Sequence, residues 1–378
     1  MPATVTTPPE ATQTPYRNDV APPAGIRRPR SQGPTIPYRR WLHVYAIMLV
    51  VATFALVAIG GNVTSLDAGL AVPDGWWTFE YFTPWAPLYV WWDDLGTRWE
   101  HSHRLKGYVV GMLTIGLAVS LWVTQRRRPW LRWMGPGLLA LVVVQGVMGA
   151  LRVDLISTDL AVVHGITGQV FLALTVVVAA ALSRVWLERT DGLRGGDAAG
   201  LPAVLIPRGL KLLSLVLLGA LLVQLALGAW MRHHGAGLAI PDFPASYGAV
   251  LPPTSEAALA GQIEAWEARG QGLRDFTLAQ VWVHFGHRVW AAVVTGLVLW
   301  LVVWLNLRVA GRGETRWPAR WLVTLVGVQL VLGAMVVWSQ RYPDVATLHQ
   351  AVGAATLAVA VWLAIRLHLL ARGEGVRG

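Results

Sequence analysis

The chain is 378 residues long, 54% hydrophobic and only 14% charged, with a formal net charge of +10 and a mean hydropathy of +0.48. A charged share this far below the roughly 25% of soluble domains excludes a water-soluble globular fold and makes lipid the solvent. The positive charge is first a topology signal, since no soluble basic face for nucleic acid is visible; the absence of cysteine excludes disulfides, thiolate metal ligands, iron–sulfur clusters and a cysteine nucleophile.

Residues 1–40 are rich in Pro, Thr, Arg and Ala without helical periodicity, and are expected to form a disordered cytoplasmic arm. No apolar core segment precedes the first span, which argues against a signal peptide, and the many prolines argue against the amphipathic helix of an organellar transit peptide. A bacterial plasma membrane is the expected location. A spanning helix needs about 20 predominantly apolar residues, and eight stretches qualify: 41–62, 101–124, 131–152, 160–183, 210–231, 281–306, 321–340 and 345–366. No strand-length alternation competes with them, so the expected class is an all-α integral membrane protein and not an outer-membrane barrel.

With eight spans both termini share a side. On that side fall most of the 31 Lys and Arg residues, including Arg27, Arg28, Arg39 and Arg40 in the arm, Arg126–Arg128, Arg184, Arg208, Arg312 and Arg372. Both termini are therefore expected in the cytoplasm. After the first span comes Ala68-Gly69-Leu70-Ala71-Val72-Pro73-Asp74, and the string recurs 168 residues later as Ala236-Gly237-Leu238-Ala239-Ile240-Pro241-Asp242. The first loop also holds Trp76, Trp77, Trp85, Trp91, Trp92 and Trp99, an expected interfacial belt. Further on, His103-Arg104 matches His287-Arg288, Gln145-x-x-Met148-Gly149-Ala150 matches Gln329-x-x-Leu332-Gly333-Ala334, and His164 matches His349, at offsets of 184 to 185. These matches predict a four-helix unit written twice. Four spans per unit make the repeat parallel, with its pseudo-two-fold axis along the membrane normal. The expected organisation is the arm (1–40), an N-terminal half (41–183), a cytoplasmic linker (184–209), a C-terminal half (210–370) and a cytoplasmic tail (371–378).

The histidine pattern carries the chemistry. His103 and His164 are 61 residues apart, His287 and His349 are 62 apart, and each opens an even-numbered span near the outer surface. Ionisable residues at one depth in hydrocarbon are costly and mark function. Zinc would call for three or four clustered ligands, whereas a haem takes one axial ligand from each of two facing helices; each half thus fits one haem. Gly107, Gly111, Gly165, Gly168 and Gly353 on the same helices either make room for a macrocycle or serve close helix packing. Arg104 and Arg288 are suited to haem propionates, and equally to Glu100 or to loop aspartates. The remaining histidines read as interfacial, apart from His284. The halves differ where Glu100, three residues before His103, is replaced by His284, three before His287. An i, i+3 pair shares a helix face, so Glu100 is either a proton-accepting group beside the first ring or a solvated carboxylate at a helix N-terminus.

Eight spans in two halves, Glu100-x-x-His103-Arg104, His164 opening span 4, His287-Arg288 opening span 6 and His349 opening span 8 together resemble the haem A synthase family over about residues 41–370. The resemblance implies an oxidoreductase that converts the C8 methyl of haem O to a formyl group by two hydroxylations and loss of water, giving haem A for cytochrome oxidase. It implies a resident haem b between His287 and His349, a substrate haem between His103 and His164, and a role for Glu100 in the reaction. His284 is expected at a propionate, with alternate ligation as its second reading. Haem O synthase and cytochrome oxidase assembly proteins are implied partners alongside the bilayer, with the electron donor unidentified and self-association open. Some members carry a cysteine pair in the outer loops, and its absence here excludes electron transfer through a loop disulfide. The rival classes are a di-haem electron carrier of cytochrome b type and a haem-handling assembly factor that leaves haem unmodified.

Overall fold

The computed structural model describes residues 36–190, 206–270, 275–309 and 313–371. The first helix, α1 (Arg40–Ser65), leads into a loop holding the hairpin β1 (Trp77–Thr78) and β2 (Tyr81–Phe82) and a single turn, α2 (Leu88–Trp91). Then follow α3 (Leu95–Thr124), α4 (Pro129–Asp154), α5 (Thr158–Ala181) and the short α6 (Arg184–Thr190). The remainder comprises α7 (Arg208–His233), α8 (Glu256–Glu267) in a long loop, α9 (Leu278–Arg308), α10 (Gly313–Trp338) and α11 (Pro343–Ala371). All but α2, α6 and α8 are long and apolar enough to cross a membrane, which makes eight such helices among the described residues. The chain is an all-α integral membrane protein. The arm lies outside the described residues up to Thr35, as does 191–205 of the expected linker, whose first part forms α6.

Capping explains where the helices start. Asp94 accepts the N–H of Thr97 at 2.7 Å, so α3 begins at Leu95 and not at 101. That N–H holds the Asp94 carboxyl below the usual carboxylate range, and Asp94 caps the helix. Hydropathy keeps Arg98 and Glu100 out of the span; a good cap admits them to the helix. Ser157 caps α5, and Thr277 with Gln280 forms a capping box on α9. His103 consequently lies about 12 Å along α3 from Leu95, deeper in its helix than the apolar pattern predicts.

Helices α1, α3, α4 and α5 pack as a ring in that order, α7, α9, α10 and α11 pack as another, and the rings meet along α1, α5, α7 and α11. Within each ring the tightly packed apolar core occupies one end. In the first it comprises Leu42 and Leu49 from the start of α1, Leu117 and Leu121 from the end of α3, Leu131 and Leu138 from the start of α4, and Phe171 and Val178 from the end of α5. In the second it comprises Leu210 and Leu217, Leu301 and Leu305, Leu322 and Val326, and Leu357 and Leu367. His103, His164, His287 and His349 all lie toward the opposite end. Each ring is therefore an apolar plug surmounted by a polar chamber.

Small residues set the helix spacing within the plug. A Cβ on Gly135 of α4 would come 2.9 Å from the Ala118 Cα of α3, whereas one on Gly137 would meet nothing within 4 Å. Gly135→Leu should therefore destabilise the detergent-solubilised protein by about 1–3 kcal/mol through overpacking, and Gly137→Leu should leave the thermal midpoint nearly unchanged. Equal effects of the two substitutions would contradict the close α3–α4 approach.

Candidate functional site

Each of the four histidines rests on a glycine of an adjacent helix. A Cβ on Gly60 of α1 would lie 2.8 Å from His103 Cε1, and one on Gly149 of α4 would lie 3.3 Å from His164 Cε1. In the second ring, Gly228 of α7 would approach His287 Cε1 to 3.2 Å and Gly333 of α10 would approach His349 Cε1 to 3.4 Å. The first three distances are tighter than ordinary van der Waals contact and the fourth is at its limit, so a side chain at Gly60 would displace an imidazole and one at Gly149 or Gly228 would crowd it. The histidine-bearing helices stand across each ring from one another, α3 from α5 and α9 from α11, while the glycine-bearing helices stand between them. Within each pair the imidazoles are close enough for a charge on one to act on the other.

The donor chemistry fits a flat macrocycle held by iron. Nδ1 of His103, His164 and His349 is buried and makes no hydrogen bond, although the main chain of Leu56, Gln145 and Gln329 passes close to the respective rings. A small rotation toward such a carbonyl would fix the proton on Nδ1 and present Nε2 to a metal, the usual arrangement of a ligating histidine. His287 differs, because Gln224 Nε2 reaches its ring nitrogens at 3.3 and 3.1 Å. A Cβ on Gly107, Gly111 or Gly165 would meet nothing within 4 Å, so these three border open space; Gly168 faces Gln145, and Gly353 packs tightly on Gln329. Among the described residues no three His, Cys, Asp or Glu side chains cluster for a bare metal ion. Two imidazoles with glycine seats suit haem better.

Glu100 and His284 do the same work in their two halves. Glu100 is buried; its Oε2 accepts the Val72 N–H at 2.9 Å and its Oε1 pairs with Arg104 at 2.7 Å. His284 is also buried, and its Nδ1 accepts the Ile240 N–H at 3.2 Å. Val72 and Ile240 occupy the same place in the repeated Ala-Gly-Leu-Ala string. Glu100 is thus not a solvated carboxylate, and His284 is turned toward its loop and away from iron ligation through Nδ1. Arg104 donates to the carbonyls of Asp74 and Trp77 at 2.6 and 2.8 Å, and Arg288 to that of Ala245 at 2.9 Å. Both arginines staple a loop over the chamber, a role that the choice between propionates and carboxylates did not include. The loop is further organised by Asp74, whose carboxyl is held below its usual range by the N–H groups of Trp76 and Trp77.

Other polar residues were not legible as site residues. His101 is buried, stacked on Trp91 at 4.3 Å and bonded to Thr78 Oγ1 at 2.9 Å, so it anchors the loop and is not an interfacial histidine. His234 lies 3.4 Å from Asp159 across the seam between the rings. Arg152, in the last turn of α4, donates to the Gly69 carbonyl at 2.7 Å beside the first chamber. Gly60 and Gly228 are offset by 168 residues and Gly149 and Gly333 by 184. The first pair could have been found by extending the Ala-Gly-Leu-Ala offset back into the preceding span.

The COX15-CtaA family model, described as cytochrome oxidase assembly protein, matches residues 95–361. A haem A synthase of Beijerinckia indica is 27% identical over 388 aligned positions, covering 94% of this chain and 99% of that protein. A haem A synthase of Rhodopseudomonas palustris is 31% identical, covering 71% of this chain and 68% of its own length. One from a Methylobacterium species is 28% identical, with coverages of 90% and 94%. The matched segment contains Glu100 and all four glycine-seated histidines, and the chain belongs to the COX15-CtaA family of cytochrome oxidase assembly proteins.

Proposed function

We propose that the chain is a haem A synthase, an oxidoreductase that converts the C8 methyl of haem O to a formyl group by successive hydroxylation, for cytochrome oxidase biogenesis. The observation that carries the reading is one broken equivalence: two chambers share the same histidine and glycine frame, but only the first has a carboxylate, Glu100, three residues before its ligand. We assign His287 and His349 to a resident haem b, which supplies one-electron chemistry when bound. His103 and His164 receive the substrate haem. Val72 and Arg104 each engage one oxygen of Glu100, and a carboxylate has roughly four acceptor sites; the remaining sites are available to take a proton at the oxidised methyl or to stabilise positive charge there.

The two halves form a parallel repeat with both termini in the cytoplasm of a bacterium, and the chambers lie toward the outer leaflet. The supporting observation is that Arg126–Arg128, Arg184 and Arg208 lie near the plug end, away from the histidines. Arg104 and Arg288, directly following the ligands at the loop side, are the residues we assign to the propionate edge of each macrocycle.

Expression in a bacterium supplied with haem O synthase but lacking its own haem A synthase should yield haem A or its hydroxylated intermediate in extracted haems. Finding only haem B and haem O, with two equally bound redox-active haems in the protein, would establish the electron-carrier reading instead. His287→Ala and His349→Ala should each abolish the low-spin haem b spectrum, and His103→Ala should retain most of it; the reverse pattern would exchange the roles of the chambers. Glu100→Gln keeps an acceptor for the Val72 N–H, so the loop should stay seated while haem A output falls at least about a hundredfold. Normal output from folded, haem-loaded Glu100→Gln protein would remove Glu100 from the chemistry.

A further inference from the structure

The seam between the rings contains a cation that nothing in the repeat accounts for. Arg232, in the last turn of α7, donates to Gln350 Oε1 at 2.6 Å, and its other terminal nitrogen bonds to the Gly61 carbonyl and the Ser65 hydroxyl of α1. Gln350 directly follows the ligand His349, and its Nε2 reaches the Val57 carbonyl of α1 at 3.3 Å. Thr347 completes the network, donating to Ser65 at 2.9 Å and to Asn62 at 3.3 Å. Asn62 and Ser65 are buried, and a Cβ on Gly61 would come 2.7 Å from Gln350 Oε1. Adjacent glycines of α1 thus face opposite chambers: Gly60 seats His103, and Gly61 admits the side chain beside His349.

None of these residues has an equivalent in the other half. At the repeat offsets, Thr64 stands where Arg232 would be, Ala229 where Gly61 would be and Gly165 where Gln350 would be. Among the described residues no carboxylate pairs with Arg232; Asp67, the acid whose charge reaches it, is bound to Arg341 at 2.8 Å. All the acceptors of Arg232 are neutral. A half-buried guanidinium held by neutral acceptors is not neutralised by a directly bonded carboxylate, and it lies close enough to the His349 ring for its field to act there.

We infer that Arg232, positioned by Gln350, Gly61 and Ser65, is an electrostatic positioning residue that raises the reduction potential of the haem in the His287/His349 chamber. The inference rests on the proposal that this chamber holds haem b. Ferric haem carries one more positive charge than ferrous haem, so a nearby fixed cation favours the reduced form. A unit charge about 10 Å away, at an effective dielectric constant of about 20, changes such a one-electron equilibrium by on the order of tenfold.

The test is a spectroscopic redox titration of full-length protein purified with its haem, comparing the unmodified chain with Arg232→Gln, Arg232→Lys and Gln350→Glu. Arg232→Gln should raise the oxidised-to-reduced ratio at fixed potential about tenfold, equivalent to a midpoint about 59 mV lower. Arg232→Lys retains the charge and should stay within about twofold of the unmodified protein. Gln350→Glu leaves Arg232 in place but gives it a carboxylate partner, and should lower the midpoint in the same direction as Arg232→Gln. It keeps the test decisive if Arg232→Gln fails to hold haem. Unchanged midpoints in both neutralising variants, or equal shifts in Arg232→Gln and Arg232→Lys, would overturn the inference. Unmodified protein with no haem on His287 and His349 would instead overturn the reading on which it rests.

Discussion

The close seating of an imidazole on a glycine, made four times, is the constraint on which the rest of the architecture depends. A ligand histidine must project into the middle of its ring of helices without being pushed aside by its neighbour. With Gly60, Gly149, Gly228 and Gly333 at these contacts, the backbone of the neighbouring helix itself forms the wall. The helices can then remain packed along their length while the imidazoles project between them. Hydrocarbon provides no hydrophobic drive for helices to associate, so close approach and polar contacts hold them together. Glycine serves both ends, admitting the neighbouring helix and admitting the ring.

That division runs along each ring. Leucine and valine fill one end, with Leu117 and Leu138 in one core cluster and Leu301 and Leu322 in the other, and supply the cohesion. The opposite end is closed by a loop that the ring's own residues hold in place: Glu100 and Arg104 over the first chamber, His284 and Arg288 over the second. Glu100 therefore joins a structural duty to the proposed chemical one. The carboxylate proposed to act on substrate also accepts a backbone N–H from the loop above, which orients it without a separate support. His284 accepts the corresponding N–H and brings no carboxylate, so the second chamber keeps the architecture while losing the group that would make it reactive. A cation stands beside each histidine pair but on a different helix, Arg152 of α4 in the first ring and Arg232 of α7 in the second.

Much of this was legible in the chain. Hydropathy located eight spans because a membrane helix must be apolar over nearly its whole length, and the recurrence of His-Arg and of the Ala-Gly-Leu-Ala string located the candidate ligand positions. Helix starts were less legible: Asp94 extends α3 through charged residues that a hydropathy window rejects. The histidines that looked interfacial divided once folded, with His101 buried beneath Trp91 and His234 placed at the seam. Glycines on the histidine helices share the histidines' sequence neighbourhood. The glycines that touch the rings lie on other helices, and a contact between helices has no fixed sequence separation.

The sequence by itself determined the solvent, the number of spans, the four ligand candidates and the one position where the halves part company, because each of these is a local composition or a fixed offset along the chain. Only the tertiary structure decided which glycine seats which imidazole, that Glu100 and His284 hold equivalent loops, and that Arg232 stands beside His349 held by neutral acceptors among the described residues. Those facts belong to pairs of residues brought together by helix packing. Their energies depend on distances of a few ångströms between segments as far apart as α1 and α11, which composition and spacing do not encode.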